Sequence, residues 1–256
     1  MGFRLPGPCS AGGFLRGSYW ISTLQFELCP KLLGQLVMKK NVFFLAGLLT
    51  ALMTAQPLFA QGVQGKAGEG EKKAYQCIGC HGLEGYHASF PEVYRVPKIA
   101  GQSAKYLVAA LVAYQKGERK HPSMRGIVSN MTEQDMADVS AFYEEAGARS
   151  KRSSESRSVG AEVEKLLEKG GCKGCHGADM NKPIDPAYPK LAGQYSDYLF
   201  VALKSYKVEP NMVSGRSNAI MGGIAKQFSN SELKAISNYL ASMPGDVAVL
   251  QQNKFR

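Results

Sequence analysis

The chain has 256 residues, 45% of them hydrophobic, and a formal net charge of +10. That length accommodates one large or two small domains with a buried core. Its Lys and Arg are scattered, with no basic stripe interleaved with aromatics, so the charge reads as a generally cationic exterior and not as a nucleic-acid surface.

In chain order, residues 1–37 hold scattered Gly and Pro and the single Trp, without hydrophobic periodicity. At Met38-Lys39-Lys40 a basic start leads into the apolar run "NVFFLAGLLTALMTA" and then "QPLFAQG", where Ala60 offers a cleavage point. That is the layout of a secretory signal, and the apolar run is shorter than the roughly 18 residues a membrane span needs. We therefore expect a signal peptide at 38–60, translation from Met38, and 1–37 as an upstream over-extension of the gene model; the alternative is an unusually long leader. Cys9 and Cys29 fall in the removed part, which leaves the mature chain with Cys77, Cys80, Cys172 and Cys175. No odd thiol then remains in an oxidising compartment.

Those four cysteines lie in "CIGCH" at Cys77–His81 and "CKGCH" at Cys172–His176. On a helix, positions i, i+3 and i+4 share a face, so both cysteines and the histidine of each motif can address one object. A zinc site wants a second ligand pair close by, and a thioredoxin-like redox pair wants a strand–helix–strand setting. Neither context is present. Covalent haem fits: the cysteines form thioethers and the adjacent histidine binds iron axially. Two copies imply two haem c groups.

The surrounding sequence is also duplicated. "VPKIAGQSAKYLVAALVAY" from Val96 answers "YPKLAGQYSDYLFVALKSY" from Tyr188, and "SMRGIVSNMTEQDMADVSAFY" from Ser123 answers "IMGGIAKQFSNSELKAISNYL" from Ile220. The expected architecture is all-α: two tandem domains at 61–150 and 160–256, each wrapped round one haem. A Ser- and charge-rich linker at 151–159 joins them. Each domain should open with a short helix, at Lys66–Gln76 and Val159–Lys169. A second helix follows at Ser103–Lys116 and Ser196–Lys207, then a Met-bearing loop and a final helix. Thr132 with Asp135, and Ser229 with Glu232, read as capping boxes for the final helices.

Each iron needs a sixth ligand. In the first half Met124, Met131, His87 and His121 are candidates. Met124 has the counterpart Met221, each followed by x-Gly-Ile, whereas Met131 aligns with Gln227-Phe228 and His121 with Asn218. Met124 and Met221 are the expected distal ligands; Met180, Met212 and Met243 read as filler or surface. Pro97 and Pro189 are either ordinary turn prolines or carbonyl acceptors for the proximal imidazoles. Tyr114 and Tyr206 are either core residues or hydrogen-bond partners of haem propionates.

With both cysteine–histidine motifs, both "PK(I/L)AGQ" turns and both "M-x-G-I" loops in hand, the chain resembles the cytochrome c4 family of dihaem, two-domain class I c-type cytochromes, over nearly all of Gly65–Pro244. The resemblance implies that Cys77, Cys80, Cys172 and Cys175 attach haem, that His81 and His176 are proximal, and that Met124 and Met221 are distal. It further implies a periplasmic electron carrier, not an enzyme, working between a bc1-type complex or other donors and a terminal oxidase, with possible loose membrane association. The runner-up is a dihaem cytochrome subunit of an enzyme complex, such as a flavocytochrome c sulfide dehydrogenase, bound to a flavoprotein. The insertion "LEGYHASFPEVYR" after the first motif and the loop "VEPNMVSGRSN" in the second half depart from the repeat. Residues 61–150 carry eleven Lys/Arg against ten Asp/Glu and residues 151–256 fifteen against ten. On that count, acidic partners are expected to dock on the second half, with Lys173, Lys182, Lys190, Lys204 and Lys207 around its haem.

Overall fold

The computed structural model describes residues 63–149 and 160–250. The expectations for 1–37, for the signal at 38–60 and for the linker at 151–159 fall outside the described residues.

The first half runs α1 (Ala67–Lys73), α2 (Tyr75–His81), β1 (His87–Ala88), β2 (Tyr94–Arg95), α3 (Ala104–Lys116), α4 (Pro122–Val128) and α5 (Glu133–Ala146). The second runs α6 (Ala161–Lys169), α7 (Cys172–His176), α8 (Ser196–Ser205), α9 (Ala219–Ala225) and α10 (Asn230–Ser242). Both expected capping boxes are formed: Thr132 Oγ1 accepts from Asp135 N–H at the start of α5, and Ser229 Oγ accepts from Glu232 N–H at the start of α10. Each leaves its helix free to bury one face, Met136, Val139, Phe142 and Tyr143 on α5 and Leu233, Ile236 and Leu240 on α10.

Three details differ from the sequence reading. The opening helix breaks at Ala74 into α1 and α2. Both Met-bearing loops are short helices, because His121 and Asn218 cap their N-termini by accepting from the N–H of Met124 and Met221. The insertion contains an antiparallel two-residue pairing, His87 opposite Arg95 and Ala88 opposite Tyr94. Elements of seven and two residues are too short to declare a period in sequence.

The α1–α5 crossing depends on Gly70. A Cβ there would sit 1.9 Å from the Asp138 carbonyl oxygen, so any side chain forces the helices apart. The Asp138 carboxylate, buried under this crossing, accepts from Lys66 N–H at 2.8 Å, Lys73 Nζ at 2.7 Å and Gln134 Nε2 at 2.7 Å. Burial opposes its ionisation, yet the hydrogen bonds from Lys73, Lys66 and Gln134 hold its pKa below the usual value. Asp135, hydrogen-bonded by Lys73 and then Thr132, is brought down to about 2. A carboxylate whose folded pKa is depressed stabilises the fold above its unfolded pKa, and that contribution is lost as pH falls through the folded value. Thermal melts should therefore show stability falling between about pH 4 and about 2, and Asp138→Asn should flatten that dependence.

The halves meet through a reciprocal clasp. Gln194 Oε1 accepts from Lys98 N–H at 3.0 Å and its Nε2 donates to Lys98 O at 2.8 Å. Gln102 does the same with Lys190, at 2.9 Å and 3.0 Å. Arg95 pairs with Asp197 at 3.0 Å, and Glu118 O accepts from Ser217 N–H at 2.7 Å. Beyond α10 the chain crosses back: Ala248 pairs with Ala100, and Leu250 packs against the first half's core. The domain frame read from sequence gave this tail wholly to the second half.

Candidate cofactor site

The first motif lies on α2 and the second forms α7, so each Cys-x-x-Cys-His is helical, as the i, i+3, i+4 spacing expects. None of the four cysteines forms a disulfide. Burial, with Cys80 adding, pushes the Cys77 thiol up to about 11, and burial also raises Cys172. A redox-active pair has a lowered thiol pKa, so this environment disfavours that chemistry.

The imidazoles are held alike in both halves. His81 Nδ1 lies 2.8 Å from Pro97 O, and His176 Nδ1 lies 3.0 Å from Pro189 O. A carbonyl oxygen only accepts, so Nδ1 carries the proton and the lone pair is on Nε2. Burial lowers both pKa values, with the proline carbonyl opposing, which keeps each ring neutral. Of the two roles open to the prolines, the carbonyl acceptor is the one formed. This is how a ligating histidine is oriented from behind.

A cavity of about 660 Å³ is lined by Cys77, Cys80, His81, Met124, Cys172, Cys175, His176 and Met221. Met131 does not line it: that residue is 8% exposed and sits in the first core, whereas its aligned neighbour Phe228, 3% exposed and in the second core, does line the cavity. His121 and His87 do line it. His121 spends its Nδ1 on the α4 cap, and His87 lies exposed on β1. Met180 is buried core and Met212 is 90% exposed, as filler and surface residues should be.

Two residues missed in the sequence stand between the halves. Arg119 Nη2 donates to Tyr106 Oη and Arg216 Nη2 to Tyr198 Oη, both at 3.2 Å. Each guanidinium also lies over a second ring, Arg119 over Tyr114 at 5.2 Å and Arg216 over Tyr206 at 5.5 Å. Arg119 is buried, and its Nε has no hydrogen-bond partner. Among the described residues, neither arginine is paired with a carboxylate. Two cations enclosed by phenols call for anions. Haem propionates are such anions, and the cavity is otherwise largely apolar, so the residues present fit two haem groups. The arginines escaped the repeat comparison because Arg119 follows Tyr106 by 13 residues while Arg216 follows Tyr198 by 18. The longer loop of the second half hides the match.

The lysines expected to attract acidic partners are partly balanced within the chain. Lys173 pairs with Glu164, Lys190 with Asp246 and Lys204 with Glu92. These pairs leave the net surplus of the second half unchanged, since Glu164 and Asp246 are already counted in it and Arg95–Asp197 offsets Lys204–Glu92, but they place a carboxylate beside three of the five lysines.

A cytochrome c family model matches residues 67–145 and again 160–244. Cytochrome c4 of Azotobacter vinelandii is 30% identical over 219 residues, covering 77% of this chain and 98% of that protein. The thiosulfate dehydrogenase electron acceptor of Stutzerimonas stutzeri is 29% identical over 222 residues, covering 80% of this chain and 97% of that protein. Among solved structures, reduced recombinant cytochrome c4 from Pseudomonas stutzeri superposes with a TM-score of 0.54 at 28% identity, covering 70% of this chain and 99% of that one.

Proposed function

The chain belongs to the cytochrome c4 family and is a dihaem electron-transfer cytochrome with two covalent haem c groups, and from that premise we propose that it carries electrons between a bc1-type donor and a terminal oxidase in the periplasm. The observation that carries the reading is the same constellation formed twice along one cavity: two thiols, an imidazole fixed by a proline carbonyl, and a methionine. Cys77 and Cys80 tether one haem, and Cys172 and Cys175 the other. His81 and His176 would ligate through Nε2, and Met124 and Met221 would supply the second protein ligand in each half. When bound, each group supplies a one-electron ferric/ferrous couple, and thioether ligation favours the reduced form. With an imidazole and a thioether from the protein given to each iron, no coordination site would be left for a substrate. The apolar faces of α5 and α10 line the cavity, and Arg119 and Arg216 would hold propionates between the halves.

Among the described residues no helix is long and apolar enough to cross a membrane. Residues 38–60 deliver the chain to the periplasm, and any membrane association is peripheral. Expression from Met38 in a haem-maturing host should give periplasmic protein with its N-terminus near Gln61. Colour should survive acid-acetone extraction, and the pyridine haemochrome should give two haems per chain. A single haem, an extractable one, or a mature chain retaining residues from 1–37 would refute the corresponding element.

Similarity to a thiosulfate dehydrogenase electron acceptor supports a second reading, in which the cytochrome takes electrons from a sulfur-compound dehydrogenase. A flavocytochrome-type sulfide dehydrogenase is the variant whose partner is a flavoprotein. Stopped-flow reduction by a purified bc1 complex and by each dehydrogenase separates the readings: the donor that reduces the protein faster at matched concentrations is the physiological class.

A further inference from the structure

The two halves differ at one buried position facing the cavity. Tyr143 and Leu240 are equivalent by three criteria. Each lies eleven residues after its helix cap, Thr132 or Ser229. Each offers its carbonyl to the glycine of the Pro-Lys-x-Ala-Gly turn, Gly101 N–H at 2.8 Å and Gly193 N–H at 2.9 Å. Both line the cavity. Tyr143 is 2% exposed, yet its hydroxyl has no hydrogen-bond partner in the protein. Ser140, one turn earlier, also lines the cavity with a buried and unpartnered Oγ. Its counterpart Ser237 donates to Leu233 O at 2.7 Å instead. The first half thus presents two free hydroxyls to its cofactor, and the second half presents hydrocarbon.

An unpaired buried hydroxyl is costly, so its retention points to a partner that arrives with the cofactor. We propose that Tyr143, with Ser140 beside it, is a positioning and tuning residue for the first haem alone, its hydroxyl dipole favouring the ferric form and making this haem the more easily oxidised of the pair. Oxidised haem carries one more positive charge, and a rotatable hydroxyl turns its oxygen toward that charge. Leu240 has no such response, so the second haem loses its extra charge more readily. The proposal rests on one haem occupying each half, as read above.

The test is spectroelectrochemical titration of the holoprotein, with each midpoint assigned to its half by haem-methyl NMR. Tyr143→Phe removes one oxygen and keeps the ring packed against Phe142. At a fixed applied potential it should lower the ferric-to-ferrous ratio of the first haem roughly fivefold, the scale of one net hydrogen bond, and leave the second haem unchanged. Leu240→Tyr should raise the ratio at the second haem. Tyr143→Leu, the second half's own solution, guards against a misfolded Tyr variant at Leu240 and should match Tyr143→Phe at the first haem. No shift at the first haem, a shift of opposite sign, or equal shifts at both would overturn the proposal. The pyridine haemochrome count is read on the same samples: two haems with unmoved potentials sinks the tuning role, whereas a missing haem in the unmutated protein sinks the dihaem reading beneath it.

Discussion

Met124→Ala should remove about half of the sulfur-to-iron charge-transfer band at the red end of the oxidised spectrum, and Met221→Ala should remove the other half. Each thioether donates to one iron, and the two sites lie in separate halves, so their losses should add. The midpoint of the affected haem should fall as well, because thioether sulfur favours reduced iron. Met131→Ala provides the contrast. That side chain is core and does not reach the cavity, so its loss should cost about 2–5 kcal/mol of stability and leave the band intact. A band that survives Met124→Ala and disappears in His121→Ala or Met131→Ala would reassign the ligand.

Gly70→Ala should cost about 3 kcal/mol, at the upper end of ordinary overpacking. The added methyl would fall 1.9 Å from the Asp138 carbonyl oxygen, a backbone atom that cannot rotate away. Relief requires α1 to lift from α5, which loosens the Lys66, Lys73 and Gln134 hydrogen bonds to Asp138. Calorimetry should show melting depressed by roughly 6–12 °C. Gly68→Ala on the same helix is the control, because a Cβ there meets nothing within 4 Å. Helix propensity alone favours Ala over Gly by about 1 kcal/mol, so Gly68→Ala should be neutral or stabilising, and equal effects from the two substitutions would mean that the close approach at Gly70 contributes nothing.

The sequence made the site more legible than the fold around it. Cys77, Cys80 and His81 are local neighbours with a fixed chemical spacing, and duplication of the motif removed most alternatives. The same duplication separated Met124 from Met131, because Met221 answers only the first. Both capping boxes were readable for the same reason, since a cap is a contact three residues long. The clasp was not. Gln102 and Gln194 stand in matching turns, yet their partners Lys190 and Lys98 are 88 and 96 residues away. No local period announces such a pairing. The tail at Ala248–Leu250 was read with the half that precedes it in sequence, although its partners lie in the other. Arg119 and Arg216 failed to register because a loop of different length moved one of them out of alignment.

The clasp has the form of contact that two identical subunits make about a two-fold axis: Gln102 meets Lys190 as Gln194 meets Lys98. Each half supplies both a glutamine and a lysine to it, Gln102 and Lys98 on one side and Gln194 and Lys190 on the other. Within one chain such a contact is intramolecular and does not depend on protein concentration. The duplicated domain and this reciprocal contact together give the two halves a pseudo-two-fold relation. Tyr143 where the other half has Leu240, and five extra residues before Arg216, depart from that relation. Cleavage between residues 150 and 160 should leave two fragments that remain associated, held by the clasp, the Arg95–Asp197 pair and the tail at Ala248–Leu250.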